Sequence, residues 1–143
     1  MKIAVIDADL LGRRRHRFPN LVCEKISGYY KQVVKLPPGN VILKTDYEHL
    51  EEFDRVFIAK VFTDTPVPEW LQHVSQPKEL LIRVGRPDAG ALPVEKWLEK
   101  TVGYKINGKI PVNVGGTGFF FDRAPNLPDV IEHCMPDYHL YDN

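Results

Sequence analysis

The stretch Lys2 to Asp9, KIAVIDAD, constrains the fold more than any other. Ile3, Ala4, Val5 and Ile6 form an apolar run with no polar break. A strand wet on one face would alternate apolar and polar residues, so this one is buried on both faces, as in parallel sheets covered by helices. Acids close the run, which puts the strand's carboxyl end at a polar site. A loop, LLGRRRHR, follows; Phe18-Pro19-Asn20 then introduces LVCEKISGYYKQ. Leu21, Val22, Ile26, Tyr29 and Tyr30 recur there at helical spacing, and proline suits a first helical turn. Strand, loop and helix make the first half of a βαβ unit.

The pattern continues. QVVKL and VILKT read as short β pieces around a Pro37-Pro38-Gly39 turn. DYEHLEEFD, Asp46 to Asp54, reads as a short helix capped by Asp46. RVFIAKVF, Arg55 to Phe62, is a second buried strand and ELLIRVG, Glu79 to Gly85, a third. PVPEWLQHVS, LPVEKWLEK and LPDVIEHC read as short helices, and PDYHLYDN as an extended tail. Asn107-Gly108 in KINGKI signals a hairpin. No repeat or linker interrupts the 143 residues, so one α/β domain spanning 1–143 is expected. Its architecture is expected to be three-layer, an open and mostly parallel sheet in a flavodoxin-like or Rossmann-like order.

Several function classes fall away. The formal net charge is zero, so no global field draws the chain to nucleic acid, and no nucleic-acid partner is expected. No apolar run reaches the ~18 residues of a membrane helix, so no membrane association is expected. IAVI is too short for a secretory signal, which implies a cytoplasmic location. The two cysteines, Cys23 and Cys134, form no C-x-x-C. The five histidines form no H-x-x-x-H, so no metal site is expected, and no catalytic triad or nucleophile elbow is visible. Cys23 lies on the apolar side of the first helix and reads as core.

In open α/β sheets ligands bind beyond the carboxyl ends of the strands. Three loops with unusual residues leave those ends: Asp7 to Asn20, Lys60 to Pro66, and Gly115 to Gly118. Each admits a ligand-binding and a structural interpretation. Gly115-Gly116-Thr117-Gly118 is neither a Walker loop nor G-x-G-x-x-G; it either turns bare N–H groups to a ligand or makes a tight turn for Phe119 to Phe121. If both lie on the strand, Asp7 and Asp9 share a face and could hold a cation or a ribose; otherwise Asp9 caps a loop and Asp7 accepts backbone N–H bonds. Arg13 to Arg17, with His16 among them, either clamps an anion or is a solvated loop. Lys60, in an apolar strand, needs a partner or ligand, or marks the strand's exposed end.

In order along the chain stand Asp7-x-Asp9, His16-x-Phe18-Pro19-Asn20, Lys25-Ile26-Ser27, Lys60-Val61-Phe62, Gly115 to Gly118, Ile131-Glu132, and Pro136-Asp137-Tyr138 with Leu140-Tyr141. This series resembles the N-terminal, cobalamin-binding-like region of bacterial and phage-associated radical SAM proteins, over nearly the whole chain. The resemblance implies a non-catalytic domain that binds a cofactor, substrate or partner, with a radical SAM core domain in cis or in trans. It implies binding roles for Asp7, Asp9, His16, Lys60, Gly115, Gly116, Thr117 and Gly118. Three departures accompany it. LLGRRR lengthens the first loop, and 65–114 is expanded. The family continues into C-x-x-x-C-x-x-C, whose thiolates hold an iron–sulfur cluster; no such motif occurs here, so the chain is expected to be one domain of a longer protein or a stand-alone relative. Cobalamin folds carry D-x-H-x-x-G, whereas Asp9 occupies the histidine's place, so the ligand stays unknown. A stand-alone nucleotide- or phosphate-binding module and an interaction protein without a ligand are the alternatives.

Overall fold

The computed structural model describes residues 1–12, 19–62, 64–72, 93–116 and 127–142. β1 (Ile3–Asp7) is buried along its whole length, as its unbroken apolar run requires. It pairs in parallel with β2 (Val41–Leu43) on one side and β3 (Arg55–Ala59) on the other. β3 pairs in parallel with β5 (Ile110–Gly115), and β5 pairs antiparallel with the edge strand β4 (Val102–Ile106). The order is β2-β1-β3-β5-β4. The β4–β5 hairpin turns at Asn107 and Gly108, whose φ angles of 55° and 70° give the two left-handed positions that an Asn-Gly turn supplies.

Alternation along the strands splits the core in two. Ile3, Val5, Phe57 and Ala59 face α2 (Leu21–Gln32), α4 (Val94–Lys100) and α5 (Asp129–Glu132), together with Cys23, Ile26, Trp97 and Ile131. Ala4, Ile6, Val56, Ile58, Val112 and Val114 face the other way, onto Leu50, Phe53 and Leu71 of α3 (Glu69–Gln72). A sheet buried on both faces between helical layers is the expected three-layer α/β architecture, in the flavodoxin/Rossmann-like class. The chain leaves β1 for β2 on one flank and returns to β3 on the other, so the strand order reverses at β1. The crevice beyond β1 and β3 is the position where such sheets take ligands.

Local chemistry moves several boundaries. β1 ends at Asp7, and Ala8–Gly12 forms a short helix, α1, rather than more strand and loop. Asp9 therefore does not alternate with Asp7 on a strand. β3 stops at Ala59 rather than Phe62, because the Val61 and Phe62 N–H groups donate to the Asp9 carboxylate instead of a strand. α2 covers LVCEKISGYYKQ, but its cap is Asn20, whose side chain accepts from the Cys23 N–H; Pro19 lies before the first turn, not in it.

QVVKL is not a strand. Lys35 is left-handed (φ 63°) and the Leu36 N–H returns to the Tyr30 carbonyl, which closes α2 in the manner of a Schellman turn. The helix expected from Asp46 shrinks to a single 3-10 turn, Leu50–Glu52. Asp46 instead accepts the Glu48 N–H in a local turn that competes with helix formation. The tail is not extended: residues 138–141 form a turn that buries Leu140. The final helix is cut to Asp129–Glu132. The expected strand Glu79 to Gly85 lies outside the described residues, as do Phe119 to Phe121.

Candidate functional site

The described parts of the three loops meet at the carboxyl edge, and Asp9 joins two of them. It is fully buried in α1. Its Oδ2 accepts the Val61 N–H at 2.7 Å, and its Oδ1 accepts the Phe62 N–H at 3.3 Å and the Thr65 hydroxyl at 2.6 Å. A buried carboxylate is stable only with such donors, and these stitch the loop after β1 to the loop after β3. Asp9 is thus a loop cap, and these donors already occupy both of its oxygens.

Asp7 is held from a different direction. Its Oδ1 accepts the Leu10 N–H at 3.2 Å and its Oδ2 the Tyr141 hydroxyl at 2.7 Å. The Tyr141 oxygen accepts in turn from the Asn20 N–H at 3.0 Å. Burial, with the hydrogen bond to Asp7 and the Asp7 charge adding, pushes the Tyr141 phenol far above its ordinary range, so it remains a donor. Burial, reinforced by Asp7, likewise pushes the Cys23 thiol far up. Cys23 is therefore a protonated core thiol at neutral pH, without the thiolate character of a nucleophile.

The glycines divide between the two interpretations. Gly116 has φ 97°, and a Cβ there would lie 2.4 Å from the Lys60 carbonyl oxygen. It is glycine so that β5 can leave the sheet against the end of β3. Lys60 is buried just past β3, with its N–H donating to the Gly115 carbonyl at 3.0 Å. Burial lowers its ammonium pKa, while Asp9 and Asp64 act against that shift. Lys60 is neither mid-strand nor an exposed strand end.

Gly115 is different, because a Cβ there would meet nothing among the described residues within 4 Å. It pairs in register with Ala59. Two adjacent strands thus end in the smallest side chains, and a hollow of about 360 Å³ opens above them, walled by Cys23 and Ile26 of α2, Phe57, Trp97 and Leu127. Phe57 and Trp97 stack with their rings 5.9 Å apart. At the inner end stands Asn113, whose amide donates to the Leu98 carbonyl (2.8 Å) and Thr101 Oγ1 (2.7 Å), while its oxygen accepts from Arg55. Thr101 donates to the Trp97 carbonyl at 2.8 Å. These polar groups satisfy one another, which leaves the hollow an apolar lining. Glu132, also on the wall, pairs with Lys25 at 2.5 Å.

Asp7, Asp9, Lys60, Gly115 and Gly116 therefore share one edge, whereas His16, Thr117, Gly118 and the arginine loop lie outside the described residues. Sequence reasoning missed Ala59, Asn113, Thr65 and the pin formed by Tyr141. Histidine-ligated cobalamin does not fit: Asp9, at the histidine's place, is buried and already hydrogen-bonded on both oxygens. Among the described residues no group of three or more His, Cys, Asp or Glu side chains gathers as a metal site, and no helix is long and apolar enough to cross a membrane. No family model matches the chain, and neither does any curated protein or solved structure.

The order of short motifs has a physical basis. Asp7 bonds Tyr141, Asp9 bonds Val61 and Phe62, and Asn20 bonds Tyr141. Lys25 bonds Glu132, Ser27 bonds Asp137, and Gly116 lies against Lys60. Every one of those motifs that falls within the described residues touches another.

Proposed function

We propose that the chain is a non-catalytic binding domain that receives an apolar portion of a cofactor, substrate or partner in the hollow above Ala59 and Gly115. In this reading it serves a radical SAM-type core domain, in cis or in trans, as the resemblance implies. The observation that carries it is the paired Ala59 and Gly115, which keep space open at the strand ends where α/β sheets take ligands. The lining favours an apolar guest, because Asn113 and Thr101 are already satisfied and Glu132, the one charged wall residue among the described residues, has its own cation.

The test is a thermal-shift panel of S-adenosylmethionine, cobalamin, flavin mononucleotide and medium-chain fatty acids, on the natural chain and on Gly115→Leu. A ligand that binds the native state stabilises it by RT ln(1 + [L]/Kd) and so raises Tm. At least one should do so in the natural chain and lose the effect in Gly115→Leu, whose side chain fills the hollow. Shifts that survive in Gly115→Leu, or no shift with any of these compounds, would reject the reading.

A further inference from the structure

A second concavity lies at the opposite, amino-terminal edge of β3 and β5, on the far side of Asn113 from the hollow. It has a volume of about 400 Å³, and its charged wall residues are Arg55, Lys105, Lys109 and Glu99. Among the described residues three cations face a single carboxylate there, in a chain whose formal net charge is zero. Among the described residues none of the three cations makes an ion pair with any acid.

Arg55 is the most telling of them. Its side chain leaves the first residue of β3 and is half-buried, and this burial lowers its pKa. A guanidinium carries five N–H donors and is normally met by a carboxylate when it leaves water. Here one of its terminal nitrogens donates to the Asn113 side-chain oxygen, its single hydrogen-bond partner among the described residues. Asn113 is itself fixed by Leu98 and Thr101, so the guanidinium is oriented while its remaining donors stay uncommitted. Lys105 sits in register opposite Pro111 on the hairpin, and Lys109 follows the Asn107-Gly108 turn. An oriented guanidinium flanked by two exposed ammonium groups matches a small dianion, the guanidinium binding two oxygens and the lysines supplying charge.

We infer that this cleft is a binding site for a small tetrahedral dianion of the phosphate-monoester type. It is separate from the apolar hollow, and its standing does not depend on what the hollow binds.

The experiment is a titration of the full chain with inorganic phosphate at constant ionic strength, followed by two-dimensional amide and arginine Nε–Hε NMR, with chloride and succinate as parallel arms. Saturable shifts confined to Arg55, Val102, Lys105 and Lys109 are expected at roughly millimolar phosphate. Chloride should not reproduce them, and succinate should bind less tightly. Lys105→Gln/Lys109→Gln changes only exposed side chains and should weaken phosphate by about tenfold or more. Arg55→Lys keeps the charge but loses the planar fork and should weaken it as well. The inference is overturned by an absence of localised shifts, by equal shifts with chloride, by tighter binding of succinate, or by unchanged affinity in the folded double-glutamine variant.

Discussion

At Gly116 an added methyl group would meet the Lys60 carbonyl oxygen at 2.4 Å, whereas at Gly115 it would meet nothing among the described residues within 4 Å. The two neighbours thus answer to different constraints, one of backbone packing and one of open space. Gly116→Ala must hold alanine at φ 97° against a fixed backbone atom, and should cost about 3 kcal/mol. Gly115→Ala should stay within about 0.5 kcal/mol of the natural chain. Urea unfolding of the two variants, compared at equal m-values, checks the contrast. Equal losses at both positions would mean that the hollow above Gly115 is filled in solution.

Between elements, α2 is tied to the C-terminal segment by side chains. Asp137 accepts from Ser27 at 2.8 Å and from Lys31 at 2.5 Å, its N–H donates to the Glu24 carbonyl, and Lys25 pairs with Glu132. Tyr141→Phe removes a donor from the buried Asp7 carboxylate and an acceptor from Asn20, so it should destabilise the fold by about 1–3 kcal/mol. Hydrogen exchange should quicken first at Asn20 and at 137–142; unchanged protection there would argue against the pin.

The same tie gives a pH signature. Burial pushes the Asp137 carboxyl up, but hydrogen bonds from Lys31 and Ser27 outweigh it and hold the pKa below the usual value. A depressed folded pKa stabilises above the unfolded value, near pH 4, and that contribution is lost as pH falls through the folded one. Glu24 acts oppositely: burial and the Asp137 charge raise its pKa, so its cost at neutral pH is relieved in acid. The stability gap between the natural chain and Asp137→Asn should therefore be widest near neutrality and narrow below about pH 4. Urea midpoints measured across that range test it, and a gap independent of pH would count against the ion pair.

Much of this level was legible in the sequence. β1, α2, the Asn107-Gly108 hairpin and the parallel order follow from periodicity and turn chemistry, which are local. β3 was misjudged at its end because Asp9, about fifty residues earlier, removes the N–H groups of Val61 and Phe62 from the ladder, and no local window contains that competition. The hollow escaped notice for a similar reason. Ala59 and Gly115 are unremarkable singly, and only strand pairing places them side by side.

Across the whole molecule, two cores share one sheet, and each contains one tryptophan. Trp97 packs with the α2 face and Trp70 with the other. Because β1 and β3 contribute to both cores through alternate residues, neither core can dissolve without the other. Single-tryptophan variants Trp70→Phe and Trp97→Phe should report coincident urea transitions with equal midpoints and slopes, once each variant's own stability loss is allowed for. Two transitions seen by separate probes within one variant would show that the faces unfold apart.

The bond between Tyr141 and Asp7 spans 134 positions of sequence. On the ribosome Tyr141 is made long after Asp7. Until Tyr141 emerges, β1 ends in a carboxylate that lacks its phenolic donor, and α2 has no Asp137 to hold Ser27 and Lys31. The carboxyl edge of the sheet therefore stays incomplete until Tyr141 appears, and a translation arrest even a few codons short of Tyr141 would yield a sheet without a finished rim.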